Sequence, residues 1–223
     1  PLRAFLPADA IGQPAGPEIT LQDLVTHHSG LRPMPDDFHS GRFPSAAAGF
    51  AGYHAVDLRS SIVRHGVARE AAPPFDYSNW GFALLGEALA TRAGVSFREL
   101  VEQRITGPLH LYDTAVILTP EVRKRLIPAH GLRLEPWAPW EMDAFAPAGS
   151  IASTAGDMLT YLEAQLRADS PALRLSQQPR ATAGRDTRIA LAWFYHEKSG
   201  TFDHNGAISG YASYAFFHPK GDY

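Results

Sequence analysis

In the first part of this chain, apolar residues recur at helical spacing between Gly and Pro breaks; near its end they fall into short runs of strand length. A helix is predicted over residues 21–28. Thr20 can cap it, Asp23 sits at the third position, and Ser29-Gly30 stops it. Residues 44–64 are Ala-rich, with Phe50, Val56, Leu58 and Ile62, and should be helical in part. Pro73-Pro74 disfavours helix before it, so Phe75-Asp76-Tyr77-Ser78-Asn79 should enter extended. A helix then runs over residues 81–92, with Phe82, Leu85 and Leu89 as its apolar stripe and Gly94 as its end. Ser96-Phe97-Arg98-Glu99 is a capping box that opens the next helix. Thr154 and Asp157 offer a similar start for a helix carrying Met158, Leu159, Tyr161, Leu162 and Leu166. From Arg188 the pattern changes. Residues 189–195, 201–207 and 211–217 read as short strands, with Lys198-Ser199-Gly200 as a turn. Helices first and strands afterwards imply an α+β fold with segregated parts, a mostly helical region over 1–187 and an antiparallel meander over 188–223.

Composition narrows the classes. The chain has 223 residues, 45% apolar and 19% charged, which suits one soluble globular domain with a sizeable core. A net charge of -3 gives no reason to expect nucleic acid or an anionic membrane as partner. No apolar run approaches the roughly 18–20 residues of a membrane span. Without cysteine, disulfides, thiolate zinc sites and cysteine nucleophiles are excluded. The chain opens on Pro1 and closes on His218-Pro219-Lys220-Gly221-Asp222-Tyr223, a turn with its next strand missing, so both ends are expected to be truncated.

The search for chemistry begins with nucleophiles. Ser29, Ser78, Ser150 and Ser209 lie next to Gly or Asn, yet none stands in Gly-x-Ser-x-Gly or begins Ser-x-x-Lys. There is no His-Glu-x-x-His motif and no phosphate-binding Gly-rich loop, and no metal or cofactor is called for. His27-His28 is the only adjacent His pair. Helix neighbours point about 100° apart, so capping or packing at a helix end suits them better than a shared metal. In an extended segment Tyr77 and Asn79 project to one side, and a phenol with an amide suits acyl transfer. The competing reading is a helix start with Asn79 as cap. His204-Asn205-Gly206 sits on a strand where His204 and Gly206 share a face. The bare Gly206 lets a ligand backbone lie close, and backbone N–H groups there could hold an oxyanion. The competing reading is a strand that simply ends in a Gly-containing turn.

Taken with their surroundings these segments resemble the penicillin-recognising serine hydrolases: class-C-type β-lactamases, D,D-peptidases and related esterases. Tyr77-Ser78-Asn79-Trp80-Gly81-Phe82-Ala83-Leu84-Leu85-Gly86 is similar to that family's Tyr-x-Asn segment. Residues 19–31, from Ile19 to Leu31, and residues 147–157, from Pro147 to Asp157, resemble two further blocks. His204-Asn205-Gly206 falls where the family has Lys-Thr-Gly or His-x-Gly, with Ala190-Leu191-Ala192-Trp193 ahead of it. The family's Ser-x-x-Lys lies upstream of all these blocks. Pro1-Leu2-Arg3-Ala4-Phe5-Leu6-Pro7 looks like the stretch that follows it, so the nucleophile is expected before Pro1.

The resemblance implies one partial β-lactamase-like domain whose sheet is completed by missing segments. It also implies a small-molecule or peptide substrate: a β-lactam, a D-amino-acid peptide or an ester. An acyl-enzyme would form on the upstream serine. Tyr77 and the upstream lysine would move protons, and Asn79 would orient substrate or lysine. The Ala207 N–H would share the oxyanion hole, with Gly206 beside it, and His204 would face the substrate's carboxylate or leaving group. A periplasmic or secreted location is favoured by family. The rival is a non-catalytic homologue that binds peptides or cell-wall pieces.

Overall fold

A computed structural model describes residues 1–6 and 13–221. Pro7, and the closing Asp222-Tyr223 of the expected terminal turn, lie outside the described residues. In chain order, a 3-10 turn (Leu2–Phe5) is followed by α1 (Leu21–Val25), α2 (Ala46–Gly52), α3 (Ala55–His65), α4 (Asn79–Ala93) and α5 (Phe97–Val101), which continues as a π turn over Glu102–Thr106. Then come α6 (Pro120–Arg123), β1 (Ala129–His130), β2 (Pro136–Trp137), α7 (Ala146–Gly149), α8 (Ala155–Arg167) and α9 (Pro171–Ser176). Strands β3 (Ala181–Gly184), β4 (Thr187–Ile189), β5 (Phe194–His196), β6 (Thr201–Ile208) and β7 (Tyr211–Phe217) complete the chain. Two compact units emerge: residues 1–100 with 140–150, and residues 101–139 with 151–223.

The first unit is helical around one apolar cluster that includes Leu2, Ile19, Leu24, Phe38, Tyr53, Ile62, Trp80, Leu84 and Phe145. The expected capping box opens α1. Thr20 Oγ1 accepts from the Asp23 N–H, and Asp23 Oδ2 accepts from the Thr20 N–H at 2.8 Å. The same carboxylate accepts from Arg69 Nε at 2.9 Å, tying the helix start to a distant segment. The helix is shorter than the predicted 21–28. It ends at Val25, because His27 takes a left-handed φ of 58° that no helix contains.

Helix α4 starts two residues earlier than predicted, with Ser78 rather than Asn79 as its cap. Its buried face is also wider than the predicted stripe. Trp80, Ala83, Leu84 and Ala88 are buried, whereas Leu89 is 41% exposed. The small residues let neighbours reach the helix backbone: a Cβ on Gly86 would fall on the Pro147 ring of α7. The residue 96–99 capping box forms as expected, with Ser96 and Glu99 exchanging backbone bonds. Thr154 caps α8 by accepting from the Asp157 N–H.

In the second unit, β3-β4-β5-β6-β7 pair antiparallel in sequence order. The meander was expected, but the strand predicted over 189–195 is two strands. Ala192 adopts φ 72°, and the Ala190 N–H bonds to the Trp193 C=O at 2.8 Å, so the chain turns between β4 and β5. That turn buries Ala190 and Trp193, which pack with Phe202 and Phe217 under Tyr161 and Leu162 of α8. The five-stranded sheet already begins at Ala181, where Ala-Thr-Ala-Gly carries too little apolar alternation to be seen. Between β6 and β7, Ser209 (φ 50°) and Gly210 (φ 77°) make a two-residue left-handed turn, the twist that a tight hairpin prefers. A Cβ on Gly210 would come within 2.7 Å of the His130 backbone, and the His130 N–H reaches the Gly210 C=O.

Gly86→Ala tests the packing of α4. Helix propensity alone would raise stability by about 1 kcal/mol. The overlap with a rigid proline ring should outweigh that and lower the unfolding free energy by about 1–3 kcal/mol. The urea midpoint of the intact protein reads the sign, and an increase would mean that Pro147 gives way.

Candidate active site

Tyr77 and Asn79 stand at the mouth of α4. Ser78 between them has extended backbone (φ -128°, ψ 109°) and a buried side chain. Its Oγ donates to the Arg32 C=O at 2.7 Å and accepts the Gly81 N–H at 2.9 Å. With Ser78 directed inward, the extended backbone turns Tyr77 the other way. Tyr77 is 40% exposed and Asn79 is half-buried as the first helical residue. The expected extended entry holds as far as Ser78, and Asn79 is already helical.

Burial pushes the Tyr77 phenol above its ordinary 10. Desolvation disfavours the phenolate, so the phenol as described here is a proton donor. It becomes a base near neutrality only if a cation is brought against it.

The remaining sequence-derived residues lie in the second unit, on β6. His204 pairs with Ala215, Gly206 with Ser213, and Ala207 with Ala212. His204 and Gly206 therefore share a face, as expected from alternation. A Cβ on Gly206 would stand 3.0 Å from Ser213 Oγ, so a side chain there would crowd the facing residue of β7. Because the hairpin closes at Ile208–Tyr211, the backbone groups of His204 and Gly206 point toward β7. Those of Asn205 and Ala207 point to the opposite edge, where pairing with β5 ends at Phe194–Asp203. Asn205 and Ala207 are exposed. This edge presents an Ala207 N–H toward any carbonyl oxygen laid along it.

His204 is half-buried, with the Phe194 ring stacked at 5.6 Å. Burial lowers its pKa from the usual 6.5; the Asn205 backbone and then the Asp203 charge oppose that shift without cancelling it. The ring is thus neutral at pH 7 by a wider margin than an exposed imidazole.

The serines weighed as nucleophiles are bound to backbone instead. Ser150 Oγ donates to the Ala146 C=O, Ser209 Oγ to the Ala138 C=O at 2.6 Å, and Ser29 Oγ accepts the Leu31 N–H. Among the described residues no three His, Asp or Glu side chains gather as metal ligands. No described helix is long and apolar enough to cross a membrane. His27, given by the sequence to capping or packing at a helix end, was not counted among the site residues. It is buried, and its ring lies against Tyr77.

Comparison with known proteins places the whole chain among related sequences and folds. The D-alanyl-D-alanine-carboxypeptidase/endopeptidase AmpH of Escherichia coli (strain K12) is 26% identical over 243 residues, covering 99% of this chain and 60% of AmpH. The chain thus spans about three fifths of the length of that relative. A β-lactamase/D-alanine carboxypeptidase structure from Yersinia pestis superposes with a TM-score of 0.79 at 22% identity, covering 100% of this chain and 67% of that one. A class C β-lactamase structure from Rhodobacter sphaeroides gives 0.78 at 23% identity, covering 100% and 69%. These likenesses show the β-lactamase/transpeptidase fold. The family described as Beta-lactamase matches residues 1–223, and the chain belongs to it.

Proposed function

We propose that this chain is the larger, C-terminal part of a serine hydrolase that cleaves amide or ester bonds through an acyl-enzyme, of β-lactamase, D-Ala-D-Ala carboxypeptidase or esterase type. The observation that supports the reading is the Tyr77-Ser78-Asn79 start of α4, where a buried Ser78 caps the helix between a part-exposed phenol and a half-buried amide. The carboxypeptidase/endopeptidase name of the relative AmpH agrees with it.

In this reading the serine and lysine of Ser-x-x-Lys come from sequence before Pro1. The serine oxygen attacks the substrate carbonyl and its proton passes by way of the lysine and Tyr77 to the leaving amine or alcohol. The lysine's charge brings the phenol's pKa back down. Asn79 orients the substrate or the lysine. The Ala207 N–H donates to the developing oxyanion, and Gly206 leaves room for the substrate backbone beside β6. Water then attacks the ester and releases the acid.

His204 decides the leaning among substrates. A lysine here would be cationic throughout, whereas a half-buried imidazole is neutral at pH 7. Dependence on a substrate carboxylate should therefore be weak, which favours a peptidase or esterase with low β-lactamase activity.

The intact gene product, treated with a fluorescent penicillin or a fluorophosphonate and weighed by mass spectrometry, should carry one covalent adduct on a serine N-terminal to Pro1. No adduct at all would favour the non-catalytic homologue and remove the catalytic roles from Tyr77 and His204.

A pH series tests His204 separately. The ratio of kcat/KM for an anionic substrate to that for its neutral analogue should fall about fivefold on raising the pH, the size of a ~1 kcal/mol exposed ion pair. Because burial lowers the histidine pKa, the midpoint should lie below 6.5. A ratio flat across that window removes His204 from the carboxylate.

A further inference from the structure

We infer that His27 is a positioning residue that fixes the Tyr77 phenol in one orientation, an inference that rests on the proton-carrying role proposed for Tyr77. Three contacts converge on residue 77 from this one side chain and its backbone. The Asp76 N–H donates to the His27 C=O at 2.9 Å. The Ser78 N–H donates to His27 Nδ1 at 3.0 Å. Between those two bonds the Tyr77 ring stacks on the imidazole, 4.1 Å between centroids and 30° between planes. The residues on both sides of Tyr77 are thus pinned to the residue that its ring lies on.

His27 is held in turn. It is 1% exposed, and Phe82 of α4 stacks on it at 4.9 Å. Its φ of 58° is a left-handed conformation that costs an ordinary residue roughly 1–2 kcal/mol and persists where surroundings impose it. A backbone N–H can only donate, so Nδ1 must keep its lone pair and the ring proton sits on Nε2. Neutral imidazole in that tautomer supplies both a flat ring for the Tyr77 stack and an acceptor nitrogen for the Ser78 N–H.

The two contributions can be separated. His27→Asn keeps a short acceptor, tolerates the left-handed backbone and loses the stack. His27→Phe keeps the stack and loses the acceptor. In the intact protein with 13C-labelled tyrosine rings, the Tyr77 signal, assigned by its loss in Tyr77→Phe, should be sharp in the wild type. It should shift and broaden in His27→Asn, and stay closer to its wild-type position in His27→Phe. In His27→Asn, kcat should fall about tenfold to a hundredfold, the usual cost of a misplaced catalytic group, with KM little changed. In a Tyr77→Phe background the same substitution should change kcat less than about twofold, because its effect acts through the phenol. An unmoved Tyr77 signal in both variants, or losses that multiply in the double variant, overturns the inference. If Tyr77→Phe leaves kcat intact while His27→Asn still disturbs the Tyr77 signal, the positioning stands and the proton-carrying role falls.

Discussion

The bond from the Ser78 N–H to a buried imidazole nitrogen anchors the start of α4 in the helical unit. Four hydrogen bonds lay residues 76–80 onto residues 27–33: Asp76 and Ser78 to His27, Ser78 Oγ to Arg32, and the Trp80 N–H to the Pro33 C=O at 3.1 Å. Each contributes about 1 kcal/mol net, but a buried N–H left without an acceptor costs about 1–3 kcal/mol. The short strip after α1 therefore acts as a template, and α4 can start in only one place. Trp80 then enters the core and Tyr77 stays outside it.

The strand unit solves a different problem. One stretch of the β6 edge is left unpaired by β5 while the rest of the sheet stays closed. The turn at Ala192 takes the chain away before β5 can cover residues 204–207, while the tight hairpin keeps the other side of β6 fully paired with β7. The aromatic stack of Phe202 on Phe217, at 5.2 Å under α8, holds the pair that bears the open edge.

Much of this was legible in the sequence wherever chemistry is local. Thr20 with Asp23, Ser96 with Glu99, and Gly94 at φ 70° mark ends through bonds spanning a few residues, so spacing alone exposes them. Strand β7 was read at its observed bounds because its length and aromatic content suit only a strand. What escaped depends on distant partners. The period of α4 suggests a narrow stripe, because spacing cannot show that Pro147 will lie on Gly86. A run of Ile, Leu, Trp, Phe and Tyr hides the bend at Ala192, since nothing in alanine announces a left-handed backbone. The candidate site residues were proposed from their motifs, whereas His27 was read as capping or packing, since its acceptor role exists only once residue 78 arrives.

A hairpin loop on a protein surface is ordinarily a place where chains gain and lose residues over evolutionary time. The Ser209-Gly210 turn is denied that freedom. Gly210 lies against the backbone of His130, and Ser209 is tied to the Ala138 C=O, so the turn is wedged beside the β1–β2 ribbon. An inserted residue would have to displace a second pair of strands. Length variation should instead collect at Leu132-Arg133-Leu134, the solvent-exposed tip of that ribbon. The spacing from His204 to β7 is thereby held at one length by packing on a neighbouring ribbon rather than by the turn itself.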